Sequence, residues 1–453
     1  MIPVEINKSY EIEIQDLNIA GEGIGKFKGF TIFVEGALPD EKVIAHIVQL
    51  KNNYAIGRIL KIIKKSEHRT EPICPVYNHC GGCQLQHLSY SEQLKWKRKK
   101  ILDDLERIGN LYDIEIFDTI GMKNPFHYRN KMQFPVGHSK SGIIVGCYAR
   151  GSHKIIDTDA CIIQKEVIDK ILCSVKKAIN LFNLTPYDED SHKGILRHVM
   201  CRAGADGELM VVFVTATKKL PNAKNVIKFL RTKHPDITSI QQNIQTYHNN
   251  VILGRETKAL FGSSTIKEKI KEIQFSISAR SFFQVNTSQA EVLYRIALDF
   301  AELTGNEVII DAYCGIGTIA IFLSKFAHKV YGIEIVNTAI IDAKKNAKEN
   351  KIKNVEFIAG DVCKIIPQIY SHGIRADVIV VDPPRAGCDK KVLETFTKMN
   401  PSRIIYVSCN SSTLARDLTI LNDLNYITKK IQPVDMFPFT SHVESVAQII
   451  KKA

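Results

Sequence analysis

No run of about 18 apolar residues occurs in this 453-residue chain, so the sequence offers no candidate membrane span. The N-terminus lacks the basic-then-apolar pattern of a secretory signal, and the protein is expected in the cytoplasm. Internal repeats and low-complexity tracts are missing too, which excludes solenoids and disordered tails. What is present fits a soluble globular protein of roughly two to four domains. Its residues are 45% hydrophobic and 24% charged, ordinary values for that class. Eleven cysteines in a cytosolic chain point to metal or catalysis more than to disulfides. The formal charge of +13 favours a polyanionic partner, nucleic acid first among them.

Residues 1–63 read as a small β-barrel. Tyr10 to Asp16 alternates apolar and polar residues, Gly21 to Gly25 is a glycine turn, and three further β-rich runs follow. Lysines recur between the apolar positions from Lys26 to Lys65, which suits an RNA-contacting barrel of oligonucleotide-binding type. The stretch resembles the TRAM domain of RNA-modifying enzymes.

Residues 64–280 read as an α+β middle domain that holds a metal and part of the RNA. Cys74, Cys80 and Cys83 form a Cys-x5-Cys-x2-Cys set, closed by Gly81 and Gly82, which let the backbone fold tightly. A 4Fe–4S cube needs a fourth thiolate, and both Cys147 and Cys161 are near in sequence. A structural zinc with His79 or His87 is the rival. Ser91 to Ile108 reads as a helix with Ser91 at its N-cap, able to pack on the catalytic domain. It carries the basic run Lys95 to Lys100, and such a run ordinarily marks a solvated face.

From residue 281 to 453 strands and helices alternate, the signature of a doubly wound, Rossmann-like sheet. The first strand ends at Asp311 and turns through Cys314-Gly-Ile-Gly317-Thr318 into a helix. The next three strands end in Glu334, Asp361 and Asp382. Glu334 is placed to grip ribose hydroxyls. Acids at successive strand ends, without a third phosphate-fitting glycine, suit S-adenosylmethionine better than a dinucleotide. A fifth strand, Ile404 to Val407, delivers Cys409 to the rim where ligands bind in open α/β sheets. Two last strands would close a C-terminal hairpin typical of such methyltransferases.

At this point the chain resembles the RNA uracil-5-methyltransferases of the TrmA/RumA type over essentially its whole length. The matching pieces include the cysteine set, Phe282-Phe-Gln284-Val-Asn286, Asp311 to Thr318, Asp382-Pro-Pro-Arg-Ala-Gly387, Ser408-Cys-Asn410 and His442-Val-Glu444. Ser411 departs from the proline that many members carry there. The resemblance implies that Gln284, Tyr313, Glu334 and Asp382 bind the cofactor, with Thr318 and Asp361 beside them. It implies a 4Fe–4S cluster on Cys74, Cys80, Cys83 and Cys161, structural in role. Ribosomal 23S RNA is the implied substrate, with tRNA the alternative, and the enzyme is expected to act as a monomer.

The chemistry asks for the same residues. Uracil C5 is a poor nucleophile until a thiolate adds at C6, a role that suits Cys409. A base must then remove the C5 proton, which suits Glu444, with His442 second. Cys314, in the glycine loop, would be packed under the cofactor. An RNA cytosine-C5 methyltransferase would carry a Pro-Cys pair where Asp382-Pro383-Pro384 stands. A non-catalytic iron–sulfur RNA-binding protein is the reading from another class.

Overall fold

The computed structural model describes residues 2–140 and 142–452. The alternating N-terminal stretch closes into a barrel of β1 (Ser9–Leu17), β2 (Gly23–Phe27), β3 (Phe30–Glu35), β4 (Lys42–Leu50) and β5 (Tyr54–Lys64), ordered β1-β2-β3-β5-β4. Every second side chain points inward, so Ile12, Ile14, Ile32, Val34, Val43 and Ala45 fill the interior. The chain leaves through a buried clasp. Glu41, 1% exposed, accepts from Arg69 Nε at 2.5 Å and NH2 at 2.7 Å, a two-pronged charged pair.

Helix α1 (Tyr90–Arg107) follows, with Ser89 rather than Ser91 at the N-cap position. Its basic run is not a solvated face throughout: Lys97 is 0% exposed. A short strand β6 (Glu115–Ile116) then joins the far edge of the C-terminal sheet.

The middle sheet has seven strands: β7 (Lys131–Ser139), β8 (Gly142–Tyr148), β9 (Ile155–Asp157), β10 (Leu196–Ala203), β11 (Leu209–Thr215), β12 (Ile237–Ile244) and β13 (Glu256–Gly262). Their order is β13-β12-β11-β10-β7-β8-β9. Helices α2 (Glu166–Leu181) and α3 (Ala223–Lys233) bury Ile171, Leu172, Val226 and Leu230 against it. A hairpin, β14 (Thr265–Ile270) and β15 (Ile273–Ser278), puts Ile270, Ile273, Phe275 and Ile277 into the core of the next unit, ahead of residue 281.

That unit opens with α4 (Thr287–Ala301), β16 (Val308–Ala312), α5 (Thr318–Leu323), β17 (Lys329–Glu334) and α6 (Asn337–Glu349). It continues with β18 (Val355–Ala359), α7 (Val362–Ser371), β19 (Val378–Val381) and α8 (Lys390–Met399). It ends with β20 (Arg403–Ser408), α9 (Ser411–Asp423), β21 (Tyr426–Val434) and β22 (Glu444–Lys451). The sheet runs β18-β17-β16-β19-β20-β22-β21-β6, parallel through β20. β22 inserts antiparallel between β20 and β21. The strand order reverses between β16 and β19, the switch point where α/β sheets open a crevice for ligands. Among the described residues, no helix is long and apolar enough to cross a membrane.

Candidate active site

The strands end where the acids begin. β16 delivers Asp311, β17 ends in Glu334, Asp382 follows β19 and Cys409 follows β20. Glu444 opens β22, paired with Val434. Because β22 runs against β20, its first residue lands at the same edge as the parallel strand ends, beside Cys409.

The turn after β16 is built for close approach. Tyr313 holds φ at +66° and Gly317 at +83°. A Cβ on Gly317 would meet the Phe357 ring at 2.6 Å. The Gly315 and Val336 amides donate to Glu334 at 3.2 and 2.8 Å, fixing that carboxylate at the loop. Cys314 is 5% exposed beneath the turn, and burial holds its thiol well above the usual range. Thr318 Oγ1 lies 3.1 Å from the hydroxyl of Tyr294. Gln284 is buried, and its carbonyl accepts from Asn130. Asp361 is exposed, its charge is felt by Tyr313, and its Oδ1 caps α7 by accepting from the Cys363 amide at 2.8 Å.

Asp311 belongs to the site although only its place at the strand end was legible. It is 1% exposed, and neither carboxylate oxygen makes a hydrogen bond of good geometry. Burial, then Asp382 and Glu334, push its carboxyl up, opposed only by the nearby Ala320 amide. An unsatisfied buried acid beside a glycine loop fits a cationic ligand, and the sulfonium and ammonium of S-adenosylmethionine are cationic.

Two loops clamp Cys409. Asn410 caps α9 and donates from Nδ2 to the Arg385 carbonyl at 3.0 Å. Asp417, fully buried, accepts from the Cys388 amide at 2.7 Å and the Tyr406 hydroxyl at 2.6 Å. Ser411 and Ser412 both donate to Asp104 of α1, at 2.5 and 3.0 Å, so α1 holds the start of α9. Ser411 thus has a structural partner where proline would have none.

Electrostatically the pocket resists charge. Burial pushes the Cys409 thiol up to about 11, reinforced by Glu444 and Asp382 and opposed by Arg385. Burial and Asp382 push Glu444, 4% exposed, up to about 8, again opposed by Arg385. Burial raises Asp382 to about 7. Arg385 is therefore the cation that favours both ionised forms, and its guanidinium lies 3.4 Å from His442 Nε2. Burial and the surrounding cations hold His442 down at about 4, too weak a base to rival Glu444. Arg385 was visible only as part of a motif, with no role attached.

A second cluster lies in the middle unit. Cys74, Cys80, Cys83, Cys147 and Cys161 surround a cavity of about 30 Å³ whose wall also includes the apolar Val76, Met132, Ile162 and Ile163 and the polar Tyr77, Gln86 and Thr158. Neither His79 nor His87 lines it. Burial raises Cys83 to about 12 and Cys161 to about 11, while a hydrogen bond from Cys147 lowers Cys80 to about 6. Among the described residues, no group of three or more His, Cys, Asp or Glu is arranged to hold a metal ion.

With this geometry in view, the likenesses to known proteins are specific. A family model described as tRNA (uracil-5-)-methyltransferase matches residues 89–452, and a TRAM domain model matches residues 3–60. An uncharacterized RNA methyltransferase of Halalkalibacterium halodurans is 50% identical over 446 residues, covering 98% of this chain and 97% of that protein. One from Clostridium acetobutylicum is 49% identical over 452 residues, covering 99% and 98%. The solved structure of Pyrococcus abyssi tRNA (uracil-54, C5)-methyltransferase in complex with S-adenosyl-L-homocysteine matches with a TM-score of 0.77 at 28% identity. That match covers 97% of this chain and 100% of the other. The chain belongs to the tRNA (uracil-5-)-methyltransferase family, an S-adenosylmethionine-dependent RNA methyltransferase with an N-terminal TRAM domain.

Proposed function

We propose that this enzyme makes 5-methyluridine in 23S ribosomal RNA, with Cys409 as nucleophile and Glu444 as base. The observation that carries the reading is the register that sets Ser408 against Ser445, which brings Cys409 and Glu444 to one strand edge with Asp382 and Arg385 near enough to act on both. Cys409 Sγ bonds to uracil C6, and the displaced electron pair makes C5 nucleophilic. S-adenosylmethionine, when bound, supplies the methyl group on a sulfonium. C5 then carries both methyl and hydrogen. Glu444 takes that proton, the C5–C6 double bond re-forms, and Cys409 leaves as thiolate. Burial lifts Glu444 to about 8, which makes its ionised form a stronger base than an ordinary carboxylate, while Arg385 favours that ionised form.

For the cofactor, Gln284, Tyr313, Glu334 and Asp382 are the binding set, with Thr318 and Asp361 at its margin. Asp311, a buried acid with both oxygens unpartnered, would complete it, a cationic ligand favouring its ionised form. Cys74, Cys80, Cys83 and Cys161 are assigned a 4Fe–4S cluster. The five thiols that line the cavity, with no imidazole or carboxylate among its other residues, suit iron–sulfur ligation. Residues 1–63 and 64–280 are read as the RNA-holding units ahead of a catalytic domain from 281, with the cytoplasm as their place and a monomer as the working form.

Ribosomal RNA rests on the resemblance to the 23S enzymes. A tRNA uridine is the second reading, favoured by the likeness to the Pyrococcus abyssi enzyme. Unmodified 23S ribosomal RNA and unmodified tRNA, each offered with methyl-labelled S-adenosylmethionine, separate the two. Label in 5-methyluridine of ribosomal RNA alone is the expected result. Label in tRNA alone would replace it with the second reading, and label at C5 of cytidine would overturn both.

A further inference from the structure

β21 and β22 are neighbours, yet nine residues, 435–443, intervene between them where a tight turn would suffice. This strap leads into Glu444, and distant elements hold several of its backbone groups, among them the amides of Asp435, Phe439 and Ser441. Asp435, 0% exposed, accepts from Lys97 Nζ at 2.5 Å on one oxygen and from the Tyr90 hydroxyl at 2.9 Å on the other. Lys97, equally buried, also donates to the Phe437 carbonyl at 3.1 Å. Further along, Gln93 accepts from the Phe439 amide at 3.0 Å. The Gln84 and Leu85 amides donate to the Phe439 carbonyl, each at 2.9 Å. Phe439 itself holds φ at +66°, a conformation a phenylalanine adopts only when its surroundings impose it.

A fully buried ion pair is weak support for stability, because desolvating both charges consumes most of their attraction. Its use is geometric: Asp435 has one arrangement that satisfies Lys97, Tyr90 and the Phe437 amide together. We propose that Lys97 and Asp435 are positioning residues that set the strap, and thereby aim Glu444 at the C5 proton. The proposal rests on the reading of Glu444 as the base. It separates two steps of one reaction. Methyl transfer needs Cys409 and the cofactor, which the strap does not carry, whereas proton removal needs Glu444 in register.

Single-turnover reactions with methyl-labelled S-adenosylmethionine and the RNA that serves as substrate measure both steps. Label transfer reports the first, and the lifetime of the enzyme–RNA adduct on a denaturing gel reports the second. The paired variant Lys97→Met/Asp435→Asn keeps the site neutral. It is expected to transfer label at near the parent rate while its adduct decays about 10- to 100-fold more slowly, the scale of loss that ~1 Å of misplacement brings. Tyr90→Phe, which removes one hydroxyl, should slow decay several-fold and decides the matter if the paired variant does not fold. Parent-like adduct decay, or equal slowing of both steps, would overturn the proposal. Glu444→Gln is run beside them: normal decay there refutes the base itself, whereas a stalled Glu444→Gln with normal positioning variants refutes only the strap.

Discussion

The roles proposed for Cys409 and Glu444 predict different failures when each is removed, and that difference tests the assignment. Cys409→Ala has no nucleophile, so neither an adduct nor methyl transfer is expected. Glu444→Gln keeps the nucleophile and nearly the same shape but takes no proton, so it should methylate once and remain joined to RNA. A slow-migrating labelled band with Glu444→Gln and none with Cys409→Ala is the expected gel. An adduct formed without Cys409 would remove that residue from its role. Glu444 also has a signature without substrate. Its folded carboxyl titrates at about 8, above the usual carboxylate range, so folding favours the protonated form. That contribution is complete at low pH and is lost as pH rises towards about 8, at roughly 1.4 kcal/mol per pH unit. Glu444→Gln has no such loss. Its melting temperature relative to the parent should therefore climb between pH 5 and 8 and level off above. A flat difference across that range would mean that Glu444 titrates normally.

The elements that were legible in the sequence are those whose pattern is local. Period-two alternation marks the barrel strands, short β-rich runs ending in acids mark β16, β17 and β19, and one running into Cys409 marks β20. Those endings placed Glu334, Asp382 and Cys409 on one rim before any contact was visible. Other features depend on partners far along the chain. Lys97 sits among five other residues of a basic and aromatic run, and nothing within that run distinguishes it. Its burial is decided by Asp435, 338 residues away. β6 is two residues long, and it is a strand only because β21 offers Lys430 and Ile431 as its partners. The strap lies inside what the sequence reads as a C-terminal hairpin, and the reason for its length is found in α1 and the segment after Cys83. Asp361 shares the strand-end position of its neighbours, and its Oδ1 also caps α7, a second task that the sequence pattern did not show.

Considered as one body, the molecule ties its cysteine cavity and Glu444, the proposed base, to the same strap. Phe439 packs with Cys83, Tyr128 and Ile163, while its carbonyl is held by the two amides that follow Cys83. The cysteines are thus placed where a rigid cluster would brace the region that leads to Glu444, consistent with a structural role. Which thiol completes the set is a sharp question, because both Cys147 and Cys161 line the cavity. Cys147 is engaged with Cys80 by a hydrogen bond between their side chains, whereas Cys161 follows a loop whose amide is tied to Asp169 at 3.0 Å. That tie fixes the Cys161 backbone independently of the other cysteines. Protein purified without oxygen should be brown, absorbing broadly near about 400 nm as thiolate-bound 4Fe–4S centres do. Cys161→Ala should lose the colour and iron, and Cys147→Ala should retain both. The reverse pattern would make Cys147 the fourth ligand, and colourless protein carrying one zinc would replace the cluster with a zinc site.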